Sequence, residues 1–390
     1  MSDLLLREPG AIRIGPFGSA LKKDEYSESG IRVLGIDDVL TRGSPRKPKF
    51  IPEAKYRELT QYRVRAGDIL VTNMGTVGRA FLLPPGFETA IISSHLIKVT
   101  PDLASVDAHY LEWALNAAPA VVAQIVRDSR GAIMAGFNTS RLKALAIPLP
   151  PLAEQRRIAG ILDKADSLRA MRRDAMSRLQ ALDRSIFLQT FGDPLTNPKG
   201  WPQRTIREIG TVITGNTPPR AQSELYGGPT EWIKSDNLNT PEYFLTTAAE
   251  TLSILGTRVA RLAPPNAVLV TCIAGSPECI GNAAMADREV AFNQQINAFI
   301  PSEGNPHFLY SQLRFGKRLV QQAATKAMKG MISKTRFEAI KLMCPPRTDQ
   351  DAYADRTTMI NAAARRATAS LTQLDALFAS LQDRAFRGDL

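Results

Sequence analysis

The chain states one large unit twice. Leu6-Arg7-Glu8-Pro9-Gly10 through Gly15 is echoed by Ile206-Arg207-Glu208-Ile209-Gly210 through Gly215. Leu70-Val71-Thr72 returns as Leu269-Val270-Thr271, and His109-Tyr110-Leu111 as His307-Phe308-Leu309. Pro150-Pro151 with Gln155 returns as Pro345-Pro346 with Gln350, and Phe191-Gly192-Asp193 as Arg387-Gly388-Asp389. The offsets run from about 195 to 200 residues, far beyond the periods of about 20 to 50 that build solenoids. Such a chain must fold as two similar domains, suited to a partner that presents two similar surfaces.

At 390 residues there is length for two or three domains, each with its own core. The formal charge is +11 and the pI about 9.7, which favours acidic partners. Duplex nucleic acid leads among them, because Lys and Arg that neutralise phosphates release counterions. Surplus solvated surface charge is the plain alternative. Cys272, Cys279 and Cys344 are an odd set confined to the second half, which fits a reducing compartment rather than a disulfide framework. No apolar run reaches membrane-spanning length and the first residues do not read as a signal peptide, so a soluble, cytoplasmic chain without membrane contact is expected.

Short apolar runs at 31–36, 68–72, Ala90–Ile92 and Leu96–Val99, separated by Gly, Pro and polar clusters, predict strands and loops in residues 1–148. Leu111, Leu115, Val122 and Ile125 are spaced for one face of a helix over 107–127. Residues 149–192 change character. Ile158, Ile161, Ala165, Leu168, Ala175, Leu179, Leu182 and Ile186 fall on a heptad, with Arg172 and Gln189 as polar exceptions. At 1.5 Å per residue this is a helix of roughly 50 Å, a coiled-coil spacer. A Gly/Pro/Asn linker and a second domain occupy 193–343, with strands at 231–233, 267–273 and 295–300 and a helix at 306–325. The segment 344–390 carries a matching stripe of Ile360, Ala364, Ala367, Leu371, Leu374, Phe378, Leu381 and Ala385. Two solitary amphipathic helices of matched length need partners, and each is the other's nearest. The fold class read from the residues is α+β: two homologous mixed α/β domains, each followed by a long helix, with the two helices paired as a coiled coil.

The inventory for catalysis is thin. His95, His109 and His307 have no zinc-ligand spacing, Cys272 and Cys279 are too far apart for a CxxC pair, and there is no Walker A loop. Asn216-Thr217-Pro218-Pro219-Arg220 carries an insertion and lacks the aromatic of an amine-methyltransferase Asn/Asp-Pro-Pro-aromatic run. No catalytic residue, metal or cofactor is assigned to this chain. The recurrent His109 and His307 read as packing residues.

Base reading needs Arg, Lys, Asn, Gln, Ser and Thr on loops that reach groove edges. The first domain offers Lys22, Lys23, Asn73, Thr76, Arg79, Ser93, His95, Arg130 and Asn138. The second offers Arg220, Lys234, Asn237, Asn293, Gln294, Gln295, Lys329 and Lys334. Ser93-Ser94-His95 corresponds to Asn293-Gln294-Gln295: a shared scaffold with altered side chains, as two related readers of different sequences require. A Lys or Arg in such loops is more often a phosphate contact than a base contact, and Asn73, Asn237 and Gln294 serve equally well as turn residues.

The Pro-Leu-Pro-Pro-Leu-Ala-Glu-Gln-Arg-Arg-Ile run at 148–158, leading into a long heptad helix, resembles the sequence that follows a target recognition domain in specificity subunits of type I restriction-modification enzymes. Phe191-Gly192-Asp193-Pro194 with Asn197-Pro198-Lys199-Gly200-Trp201 is similar to that family too. The second copy, from Cys344-Pro345-Pro346 to Gln350, keeps the prolines and the Gln but lacks the Glu and the Arg-Arg-Ile. The resemblance implies two target recognition domains, each reading one half of a split DNA site, separated by the two long helices, which pack as an antiparallel coiled coil and act as a ruler. With 3.4 Å per base pair, 20 to 30 Å of separation would leave roughly 6 to 8 unspecified pairs. It also implies two methyltransferase subunits docked on this chain, carrying S-adenosylmethionine and flipping the target adenine, with restriction-translocase subunits joining for cleavage. A solitary specificity-like DNA-binding regulator and a coiled-coil scaffold without DNA binding are the competing readings.

Overall fold

The computed structural model describes residues 1–17, 20–129, 137–324 and 330–390. Arg130 and Lys329, two of the expected DNA-contacting residues, lie outside them. The chain divides into two compact units, Met1–Arg172 with Ser370–Leu390, and Arg173–Ala369.

In the first unit, β1 (Ile12–Ile14), β5 (Ile69–Thr72), β6 (Ala80–Leu82) and β8 (Leu96–Val99) form an antiparallel sheet in the order β1-β8-β5-β6. A second sheet has the order β3-β2-β7-β4, from β2 (Ile31–Leu34), β3 (Lys49–Ile51), β4 (Arg63–Val64) and β7 (Ala90–Ile92). Its central pair, β2 and β7, is parallel. The helices are α1 (Ile36–Leu40), α2 (Glu53–Glu58), α3 (Ala108–Ala117), α4 (Pro119–Ser129), α5 (Thr139–Ala144) and α6 (Leu152–Phe191). Strand β5 is buried at all four positions because both its faces are covered, so it reads as a continuous apolar run rather than an alternation. The single helix expected over 107–127 is two. Pro119 has no N–H to continue α3 and holds Ala118 in an extended conformation, then serves as the first residue of α4.

The second unit repeats the topology. Strands β10 (Gly210–Thr214), β14 (Val268–Thr271), β15 (Ala283–Met285) and β17 (Ile296–Pro301) form the order β10-β17-β14-β15. Strands β11 (Tyr226–Ile233), β12 (Thr251–Leu252), β13 (Leu262–Ala263) and β16 (Val290–Phe292) form β12-β11-β16-β13, again with a parallel central pair, β11 and β16. A two-stranded sheet of β9 (Gln203–Thr205) and β18 (Lys341–Met343) is added. The helices are α7 (Ile206–Ile209), α8 (Ile254–Val259), α9 (Pro306–Phe315), α10 (Lys317–Gln322), α11 (Lys334–Glu338) and α12 (Arg347–Arg387). The helix expected at 306–325 is interrupted at Gly316, which caps α9 and starts α10.

In both units a stretch of α6 packs antiparallel against a stretch of α12. In the first, Arg157 Nη2 donates to Leu390 O at 2.6 Å, and Arg169 Nε to Asp375 Oδ1 at 2.6 Å. In the second, Asp183 accepts from Tyr353 Oη at 2.9 Å and from the Thr357 hydroxyl, while Phe187 meets the Tyr353 ring at 5.5 Å. The expected stripe on α12 is the observed one: Ile360, Leu371, Leu374 and Leu381 are half-buried and Phe378 is buried. On α6 only one of the two heptad positions holds. Ile158 is buried and Leu179 and Ile186 are half-buried, as expected. The other inward position is Gln155, Leu162, Arg169, Met176, Asp183 and Thr190, one residue later than the expected Ile161, Leu168 and Leu182. Ile161 is half-buried at the stripe's margin, but Leu168 and Leu182 are 45% and 47% exposed. The cause is chemical: two of the true inward residues, Arg169 and Asp183, are charged, and each finds a polar partner on α12, Arg169 in Asp375 and Asp183 Oδ1 in Tyr353 and Thr357.

Candidate nucleic-acid interface

In each unit the loops that follow three central strands are tied into one edge. In the first, Ser93 N–H donates to Leu34 O (2.8 Å), joining the ends of the parallel pair β2 and β7. Asn73 N–H, just past β5, donates to His95 O (3.1 Å), its Nδ2 donates to Ser94 O (3.0 Å), and Phe137 N–H donates to Asn73 O (3.2 Å). The second unit uses the same bonds: Asn293 N–H to Ile233 O (3.0 Å), Cys272 N–H to Gln295 O (2.8 Å) and Ile332 N–H to Cys272 O (2.9 Å). Glycine is required where the edge is tightest. A Cβ on Gly15 would stand 2.0 Å from Ser93 O, and one on Gly215 2.2 Å from Asn293 O.

The candidate residues separate into framework and exposed groups. Asn73 is buried in the loop tie just described. Asn138 caps α5, accepting from Arg141 N–H at 2.9 Å. Asn237 accepts from Lys234 N–H at 3.0 Å and donates to Thr247 O at 3.0 Å, so it holds its own turn. Asn293 Nδ2 donates to Gln295 Oε1 at 3.0 Å, and Ser235 Oγ to the same oxygen at 3.4 Å. Short amides in these loops stabilise local backbone as readily as they read a base.

Thr76, Arg79, His95 and Gln294 are exposed on the same edges, Gln294 accepting from the Thr217 hydroxyl. Ser93 Oγ is buried and has no hydrogen-bond partner, and its residue lines a cleft with Ser94, His95, Tyr26, Lys47 and Lys49. Lys47 and Lys49 were not among the expected residues, although Ser44-Pro45-Arg46-Lys47-Pro48-Lys49 carries three cations in four positions. Lys22 and Lys23 stand exposed at a separate 3-10 turn, where Lys22 N–H donates to Glu25. In the second unit, Arg220 and Lys234 share the Glu250 carboxylate and both lie against the Trp232 ring, at 4.8 and 5.0 Å. Their hydrogen bonds, Lys234's first, lower the Glu250 pKa. Lys334 pairs with Glu338 one helical turn away, at 3.5 Å. Such exposed pairs are weak, so these cations can exchange a carboxylate for a phosphate at little cost.

Among the described residues no cluster of His, Cys, Asp or Glu could hold a metal ion, and no helix is long and apolar enough to cross a membrane. Burial pushes the Cys272 thiol up to about 12, the opposite of a nucleophile's tuning.

A duplicated α+β domain with a basic loop edge, each copy braced by parts of two long helices, defines a class of tandem recognition proteins. The chain belongs to the family of the type I restriction modification DNA specificity domain, whose model matches residues 19–175 and again 198–362. It is similar to the HindI specificity subunit of Haemophilus influenzae, 30% identical over 139 residues, covering 35% of this chain and 28% of that relative. It also matches the putative MjaX specificity subunit of Methanocaldococcus jannaschii, at 21% identity across 87% of this chain and 81% of the relative. The solved S subunit from M. genitalium superposes with a TM-score of 0.59 at 15% identity, covering 99% and 94% of the two chains. A chain from a structure of a type I R-M system gives a TM-score of 0.51 at 18% identity over 94% and 92%. At those identities the structures speak for the fold.

Proposed function

We propose that this chain is the DNA-specificity subunit of a type I restriction-modification complex, each unit's loop edge reading one half of a bipartite site. One observation carries the reading: two edges with the same backbone hydrogen bonds present different side chains, Ser93-Ser94-His95 against Asn293-Gln294-Gln295. A conserved backbone with exchanged tips is how one scaffold reads two sequences, since backbone geometry sets register while side chains meet the base edges. The surplus of +11 supplies the phosphate attraction. Thr76, Arg79, His95, Lys47 and Lys49 are the contacts proposed for the first half-site, and Arg220, Lys234, Gln294 and Lys334 for the second. The α6 and α12 pair sets the spacing and docks two methyltransferase subunits, which carry S-adenosylmethionine and do the chemistry; restriction-translocase subunits complete the complex. This chain orients and selects, and makes no bond.

The test is coexpression with the cognate methyltransferase gene followed by single-molecule methylome sequencing. Methylation of one bipartite motif is expected. Assembly without methylation would favour a solitary regulator, and no duplex binding at about 100 mM salt a scaffold.

A further inference from the structure

One position at the loop edge carries opposite charges in the two units. Val33, one residue before Leu34 at the end of β2, pairs with Lys49. Trp232, one residue before Ile233 at the end of β11, donates its N–H to Glu250 O at 3.0 Å. Leu34 O and Ile233 O accept the same edge bond, from Ser93 and Asn293 respectively. Lys49 and Glu250 are therefore one place on the shared scaffold, at the end of the sheet where the edge loops meet.

In the second unit the carboxylate is flanked by two cations. Lys234 Nζ donates to Glu250 Oε1, and Arg220 Nη1 to Oε2 at 2.8 Å. Both cations lie against the ring of the buried Trp232. The Glu250 side chain nevertheless stays 37% exposed. A carboxylate has about four lone-pair sites, so one donor on each oxygen leaves acceptor capacity, and exposure leaves it within reach. In the first unit Lys49 is exposed, its ammonium 5.6 Å from the Tyr26 ring, and it lines the cleft with Lys47 and His95.

Phosphate attraction does not account for Glu250. A carboxylate repels phosphate, and a position that only gripped the backbone would carry a cation in both units. Hydrogen-bond readout does account for it. In the major groove adenine and cytosine present an exocyclic amine, whereas guanine and thymine present an acceptor oxygen. A carboxylate meets the amine and an ammonium meets the oxygen, so exchanging Lys for Glu at one place reverses the class of base that fits. Arg220 and Lys234 offset the repulsion between Glu250 and the flanking phosphates. Because exposed ion pairs are weak, either cation can turn to a phosphate and release an oxygen of Glu250.

We propose, resting on the specificity-subunit reading, that this shared position reads one base in each half-site. Glu250 accepts from the exocyclic amine of adenine or cytosine in the second unit's half-site, and Lys49 donates to the acceptor oxygen of guanine or thymine in the first unit's.

The test uses the complete complex with its methyltransferase, by methylome sequencing of each variant beside the wild type; the motif itself tells adenine from cytosine. Glu250→Gln, whose amide both accepts and donates, should relax one position of one half-site. Discrimination there should fall at least about fivefold, with the other half-site unchanged. Lys49→Glu should turn one position of the other half-site from guanine or thymine to adenine or cytosine, and it decides the matter if the Glu250 variant does not assemble. A retained base preference at those positions, or methylation lost evenly over all base combinations, would overturn the proposal and leave Glu250 as an anchor for Arg220 and Lys234. Absence of any bipartite motif in the wild type would instead remove the specificity-subunit reading.

Discussion

Gln155 and Gln350 lock their helices in the same way. Gln155 Oε1 accepts from Asp107 N–H at 2.9 Å and its Nε2 donates to Pro150 O at 2.9 Å; Gln350 Oε1 accepts from Asn305 N–H at 2.8 Å and its Nε2 donates to Pro345 O at 2.8 Å. Asp107 and Asn305 are the N-caps of α3 and α9, so each glutamine ties the start of a long helix to the cap of a domain helix. The second copy's loss of Glu and Arg-Arg-Ile leaves this lock untouched, because the contact needs only the prolines' carbonyl and the amide. Both glutamines are buried, so Gln155→Met or Gln350→Met strands a buried N–H and should each cost about 1–3 kcal/mol, read as a lowered thermal midpoint of the unit concerned. The recurrent histidines, in contrast, have diverged. His109 Nδ1 lies 3.0 Å from Asp163 Oδ2, and that hydrogen bond raises its pKa above 6.5; burial lowers that of His307, whose Nδ1 meets Tyr243 Oη at 2.8 Å. The His109 pair therefore stabilises fully below 6.5 and fades as pH rises through the folded value, whereas His307 favours folding above 6.5 and loses that advantage as pH falls toward its depressed value. NMR titration of the two imidazoles should give midpoints on opposite sides of 6.5; midpoints on the same side would refute the assignment.

Among the elements, α12 was legible from its sequence and α6 only in part. Every inward position of α12 from Ile360 to Ala385 is apolar, so the heptad announces itself. On α6 the inward line passes through Arg169 and Asp183, and a search for apolar spacing slides one residue back onto Leu168 and Leu182. Nothing in a single sequence signals that Phe378 will receive the Arg169 guanidinium, or that Tyr353 and Thr357 will meet Asp183, because those partners are some two hundred residues away. The break at Pro119 was missed for a different reason: proline acts locally and marks the break in the sequence itself, but the apolar spacing of Leu111 to Ile125 masked it. The corrected register has a simple consequence. Leu162→Ala removes a fully buried side chain and should cost about 2–5 kcal/mol, while Leu168→Ala, on the exposed face, should stay within about 0.5 kcal/mol. Equal effects in chemical denaturation would restore the earlier register. The loop edges divide likewise: their positions follow from strand ends and turn residues, but which amides are spent on backbone depends on neighbours such as Ser94 O and Thr247 O that only the fold supplies.

For the whole molecule, duplication makes a modular prediction. Each unit contains its own sheets, its own loop edge and its own stretch of paired helix, so one recognition domain can be exchanged without touching the other's core. Replacing residues 1–148 with the corresponding domain of another specificity subunit should change one half of the methylated motif and leave the other intact; a change in both halves would sink the division of labour. The helices carry a separate quantity. α6 is one unbroken helix from Leu152 to Phe191, with stretches in both units. Inserting four residues beside Arg172, and four at the matching level of α12 beside Ala369, adds about one turn, or 6 Å, to each rod while keeping the inward faces nearly aligned. At 3.4 Å per base pair this should widen the unspecified gap by about one or two pairs, with both half-sites unchanged. Methylome sequencing reads the gap directly. A motif with its original gap would mean that something other than these rods sets the distance, and loss of both half-sites would mean that the rods do more than measure.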